Sequence, residues 1–149
     1  MAIVVETSAP RMRAPLSAAR VAGLVRLAMA SRGVDDAIVS VTFLSARAMA
    51  TLNRAQLGHP GATDIITFEL SRPVADAPVM GDVYICPDVA RANAKAWKVP
   101  VREEMARLVI HGTLHTLGLE HPDGDARVRS PMWRAQESVL RVARRRGLV

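Results

Sequence analysis

LVIHGTLHTLGLEHPDG, residues 108–124, carries His111, His115 and His121, three of the four histidines in the chain. Pro100 predicts the start of a helix that carries Met105, Leu108, Val109 and Leu114 and stops at Gly118. On that helix His111 and His115 are about one turn apart, so both imidazoles project from the same face. Glycine at 118 tolerates a positive φ, which lets the helix end and the chain fold back. Leu119 and Glu120 span the return, and His121 then faces the same point as the first pair. The spacing predicts two metal ligands from a helix, a glycine hinge, and a third ligand from the turn.

Three histidines leave one corner of a tetrahedral ion open, which is the mark of a catalytic rather than a structural zinc site. Zinc in such a site lowers the pKa of its bound water to about 7, so the metal-bound water is the catalytic group that this pattern predicts. Imidazole also suits nickel, copper and iron. The H-x-x-x-H-x-x-G-x-x-H spacing is that of metzincin proteases, which carry a glutamate base after the first histidine. Here Gly112 stands in that place. A positioned base contributes roughly 10²–10⁴ in rate, so metallopeptidase becomes the lesser alternative. The remaining chemistry relies on metal hydroxide or on the substrate itself, and RNA has a 2′-hydroxyl beside its phosphodiester.

Outward from this helix the chain alternates strand and helix patterns. Residues 3–7, IVVET, and 37–44, AIVSVTFL, read as strands. Between them a helix starts at a Ser17 cap, carries Val21, Leu24, Val25 and Ala28, and ends at Gly33. Ser45 caps a helix running to about Leu57, and Gly58, Pro60 and Gly61 then force a loop. Residues 64–70, DIITFEL, form a strand with Ile66, Phe68 and Leu70 on one face. The connection SRPVADAP leads to a partner strand near 79–86, and the two make a hairpin. Pro87 starts a helix that ends before Pro100, and Ser130-Pro131 start a last one that runs to Gly147. The expectation is one α+β domain over residues 1–149, with a small mixed sheet of about four strands, about five helices and the metal site on a central helix.

The composition fits a folded domain, since half of the 149 residues are apolar while aromatics make up only 3%. The net charge of +6 favours a polyanionic partner, although a solvated basic surface explains it equally well. Cys86 is the only cysteine, so no intrachain disulfide forms, and it reads as a small apolar residue at a strand end. The N-terminal MAIVVETSAPRMR lacks the pattern of a signal peptide, and no apolar run reaches the roughly 20 residues of a membrane span. The expected location is therefore the cytoplasm.

The histidine block HGTLHTLGLEH, residues 111–121, resembles the H-G-x-L-H-L-x-G-Y-D-H hallmark of the bacterial YbeY family, endoribonucleases described as rRNA maturation factors. LNRAQLGHPGATDIITF, residues 52–68, is similar to the family's LN…PTDVLSF segment, and GDVYI, residues 81–85, to its GDI-I-I. These blocks come in the family's order and cover most of the chain from about 37 to 121. The resemblance implies a zincin-like α+β fold with one Zn²⁺ held by His111, His115 and His121. It implies a single-strand-acting endoribonuclease in 16S rRNA 3′-end maturation and ribosome quality control. Its partners would be rRNA and the small ribosomal subunit, not DNA or a membrane. A non-catalytic ribosome-assembly factor with a structural zinc is the alternative.

The chain departs from the family at two points. The arginine usually found four residues after the LN pair is Leu57 here, with Arg54 or His59 available to compensate. The hallmark Tyr-Asp is Leu119-Glu120, so Glu120 keeps a carboxylate that can tune the ligands or accept a proton. Asp64 is a candidate for orienting a ligand histidine, or else a turn residue. Asp123 and Asp125 read as solvated. Arg141, Arg144 and Arg145 predict a phosphate-tracking stripe on the last helix, or cations favourably placed at a helix C-terminus. Trp97 and Trp133 read as packing residues.

Overall fold

The computed structural model describes residues 2–70 and 72–149. Met1, at the head of the N-terminal stretch, and Ser71, the first residue of the expected connection, lie outside the described residues. In chain order the elements are β1 (Ile3–Ser8), α1 (Ala18–Ser31), β2 (Ala37–Phe43), α2 (Ala46–Leu57), β3 (Ile65–Leu70), β4 (Val79–Ile85), α3 (Pro87–Trp97), α4 (Val101–Thr116) and α5 (Pro131–Arg145). A 3₁₀ helix, Gly124–Arg129, precedes α5 where the sequence predicts only a turn. The architecture is the expected α+β.

Three helices begin where a serine satisfies the free backbone N–H groups of the first turn. Ser17 accepts from the Arg20 amide, Ser45 from Ala48 and Ser130 from Trp133. The four strands lie in the order β1-β2-β4-β3. β1, β2 and β4 run parallel, while β3 returns antiparallel beside β4 as the expected hairpin.

Strand alternation decides which residues meet the helices. Ala37, Val39, Val41 and Phe43 of β2 and Val83 and Ile85 of β4 are buried, and they share one core with residues of α1, α4 and α5. A smaller cluster of Met49, Ile66 and Cys86 lies where α2 meets the hairpin, so Cys86 is the small apolar strand-end residue that was expected. α4 is covered on nearly every side, with Met105, Leu108, Val109, Ile110 and Leu114 all buried. Its neighbours are α1, α3, α5, β3 and β4. The histidine helix is thus the central strut of the fold.

Candidate metal centre

His111 and His115 project from the last two turns of α4, which ends at Thr116. Gly118 then takes φ +87°, a conformation costly for any residue with a side chain, and the chain reverses. The reversal brings His121 back to the pair. One ring nitrogen from each histidine lies within 4.8 Å of the other two. The ring centroids are 4.6, 5.0 and 5.1 Å apart, and no two rings are coplanar.

The second nitrogen of two rings is already engaged. His111 Nδ1 lies 2.6 Å from Gln136 Oε1, and His121 Nδ1 lies 3.0 Å from the Pro122 carbonyl. Both oxygens are acceptors, so each Nδ1 carries the proton and donates, which leaves Nε2 with its lone pair free. The Gln136 amide is oriented in turn, because its Nε2 donates to Glu137 Oε2 at 3.1 Å. Burial pushes the His111 pKa down to about 3, against which the Gln136 hydrogen bond works, and the neighbouring cationic forms of His115, Arg127 and His121 push it lower still. Burial, and then repulsion from His121, also lower His115. Neutral imidazole is the form that binds metal, so burial of His111 and His115 favours the ligating form of both rings. The donor set and the oriented rings fit a divalent transition-metal ion of the kind that three imidazoles favour.

Gly112 has a structural reason to be glycine. A Cβ there would lie 2.6 Å from Val83 Cγ1 and 3.0 Å from Ile65 Cδ1. The position points into the sheet, so α4 can lie close on β3 and β4 only without a side chain. A protease-type glutamate would have no room at this point.

The other expected residues separate. Asp64 does not touch the histidines: its carboxylate accepts from Asn93 Nδ2 at 3.3 Å and from Thr63 Oγ1 at 3.4 Å. Burial raises its pKa, and the Arg127 charge pulls it back. Glu120 is exposed on the return loop, near enough for its charge to raise the His115 pKa. Arg54 lies exposed on α2 beside a surface hollow shared with Arg47, and Leu57, at the end of the same helix, is 49% exposed. Asp123 and Asp125 are solvated as expected.

Arg144 does not belong to an open basic stripe, because its guanidinium pairs with Glu103 of α4. Among the described residues Arg141 bonds only to Ser138 Oγ, and Arg145 is exposed. The packing role expected of Trp97 is also wrong. The indole is 55% exposed at the edge of a cavity next to His111, because α3 ends there and Lys98 turns the chain away at φ 56°.

Sequence reasoning missed Gln136, Arg107 and Arg127. Gln136 is fully buried, an uncommon state for a glutamine unless every polar atom has a partner. Its polar position on an otherwise apolar face of α5 was the available signal. Arg107 lies one turn before His111 and contacts Glu103, Glu104 and Glu137, and the i, i+3 and i, i+4 spacing to the first two was visible. Arg127 gave no local signal.

A family model described as "Endoribonuclease YbeY" matches residues 10–144. A protein of that name from Anaeromyxobacter sp. is 36% identical over 122 residues, which cover 81% of this chain and 60% of the relative. Namesakes from Frankia casuarinae and Frankia alni are each 35% identical over 133 residues, covering 78% of this chain and 65% and 72% of the relatives. The chain thus spans less than two thirds of the first two relatives. The solution structure of TM1509 from Thermotoga maritima shares the fold, with a TM-score of 0.61 at 23% identity over 92% of this chain and 87% of that one. Among the described residues, no helix is long and apolar enough to cross a membrane.

Proposed function

This chain belongs to the endoribonuclease YbeY family, and on that premise we propose that residues 1–149 act as one metal-dependent endoribonuclease unit with zinc as the ion. The observation that carries the reading is the convergence of three imidazoles, one ring nitrogen from each within 4.8 Å of the others, two of them with Nδ1 already held by an acceptor. His111 and His121 would hold the ion through Nε2, and His115 through one of its ring nitrogens. When bound, the ion supplies Lewis acidity and a nucleophile at neutral pH.

The protein's own residues provide position and charge. Gln136 fixes the His111 ring, and the Pro122 carbonyl fixes His121. Glu120 and Asp64 are the candidate proton carriers of this reading. Burial raises the pKa of Asp64, which favours its holding a proton. The sealed position at Gly112 weighs against peptide hydrolysis. The substrate proposed is single-stranded rRNA of the small ribosomal subunit, processed at the 16S 3′ end in the cytoplasm, with Arg54, Arg141 and Arg145 as surface contacts.

Incubation of metal-loaded protein with structured rRNA tests this, with His115→Ala as the control. Cleavage by the native protein and background cleavage by the variant are expected. Equal cleavage by both would reject the reading. A non-catalytic assembly role, which the exposed Leu57 in place of arginine favours, would instead leave ribosome association intact in the inactive variant.

A further inference from the structure

Beside His111, between the C-terminal end of α3, the α4 face and the 3₁₀ helix, lies a cavity of about 410 Å³. That is within the roughly 300–1,000 Å³ of small-ligand sites. Its wall is mostly apolar and includes Val99, Leu108, Val128 and both tryptophans of the chain. Trp97 and Val128 stand at the mouth, 55% and 52% exposed.

Two arginines line it, and they differ. Arg107 is saturated by Glu103, Glu104 and Glu137. Arg127 forms no side-chain hydrogen bond and no ion pair with any described residue, and its Nε is buried without a partner. Its guanidinium is stacked 5.9 Å from the Trp133 ring centroid. Asp64 and Glu104 lie within its electrostatic reach, but neither is bonded to it. A buried donor without a partner costs free energy, so this guanidinium is kept ready for an outside acceptor. A flat indole at an apolar mouth next to an unpaired guanidinium suits one ligand chemistry: an aromatic ring bearing a phosphate.

We infer that this cavity is a subsite for a single unstacked nucleobase of the RNA strand, stacked against Trp97, with Arg127 holding the adjoining phosphate. The inference rests on the endoribonuclease reading and deepens it. The cavity and the metal centre share His111 as a wall, so a strand with one base seated here runs past the triad. Arg127 is a positioning residue, acting on the strand next to the reacting bond.

The tryptophans make the test direct. The chain has two, and both line the cavity, so intrinsic fluorescence reports on this site alone. Native protein is titrated separately with a nucleoside monophosphate, the matching nucleoside and inorganic phosphate. Saturable quenching by the monophosphate is expected, with the other two binding at least about tenfold more weakly. Arg127→Gln should weaken the monophosphate about tenfold and leave the nucleoside unchanged. Trp97→Ala, at an exposed site, should weaken the nucleoside about tenfold, read from Trp133. With RNA as substrate, both variants should raise KM and leave kcat within a few-fold, whereas a purely structural role would lower kcat and the melting temperature together. Absence of saturable quenching, or quenching indifferent to Arg127→Gln, overturns the inference. His115→Ala keeps the two readings apart, because it should quench like native protein while failing to cleave. Quenching without cleavage by native protein would keep the subsite and reject the enzyme, and cleavage without quenching would do the reverse.

Discussion

Two polar clusters hang on α4, one turn apart on the same face. At the C-terminal end three imidazoles crowd together, and burial, with repulsion between the rings, pushes the pKa values of His111 and His115 down. One turn earlier, Arg107 gathers three carboxylates: Nε and Nη2 grip Glu137 at 3.0 and 3.1 Å, Nη1 reaches Glu104 at 3.2 Å and Nη2 reaches Glu103 at 3.3 Å. The first cluster disfavours charge on its buried rings, and the second has concentrated charge and satisfied it. The difference is one of task. A metal site needs lone pairs held in place, whereas a junction between helices needs paired ions that resist parting. Gln136 joins the clusters, with one end on Glu137 and the other on His111. Rigidity made at the α4–α5 junction is thereby delivered to the His111 ring.

The comparison breaks most visibly at Arg107. Glu104 is 1% exposed, and Arg107→Ala leaves its carboxylate buried without a partner. Loss of one member of a buried pair costs about 3–5 kcal/mol, and urea unfolding at neutral pH should show it. Burial already holds the Glu104 pKa above its ordinary 4.5. The folded state of the variant therefore takes up a proton sooner than the unfolded chain as pH falls. The deficit should narrow on acidification, and one that is constant with pH would place the loss elsewhere than on Glu104.

A smaller effect sharpens the link between the clusters. Gln136→Leu keeps the volume but removes the acceptor for His111 Nδ1 and the donor to Glu137. Loss of a hydrogen-bond partner behind a metal ligand weakens metal affinity by roughly 10–100-fold. Competition with a chelating dye would measure it, and unchanged zinc affinity would mean that the ring is oriented by packing alone.

The triad was legible because all of its information is local. A four-residue spacing, a glycine and a short return lie within residues 111–121, and helical geometry alone converts them into a site. The serine caps at 17, 45 and 130 were legible for the same reason. What stayed hidden depends on partners distant in the chain. The glutamine bonded to His111 is 25 residues away, and Glu137 is 30 residues from Arg107. Gly112 looked like an absent base, whereas its cause is Val83 on a strand across the core. Trp97 was misread because an aromatic residue near a helix end signals packing until the tertiary fold shows that more than half of it is left open.

The smallest expected effect is at Arg144, where the second cluster reaches the surface. Its pair with Glu103 is the network's exposed limb, the arginine side chain being 46% exposed, and such pairs are worth about 0–1 kcal/mol. Arg144→Ala should therefore barely move the unfolding midpoint. Its effect on RNA should be small as well, since a guanidinium already paired with a carboxylate neutralises little phosphate charge. Arg145 is exposed, and each phosphate contact on a single strand contributes about 0.7 to the slope of log affinity against log salt. Binding measured across a salt series should show that decrement for Arg145→Ala and less for Arg144→Ala. Equal decrements would mean that RNA pulls Arg144 away from Glu103, and the α4–α5 junction would then be part of the binding surface rather than its support.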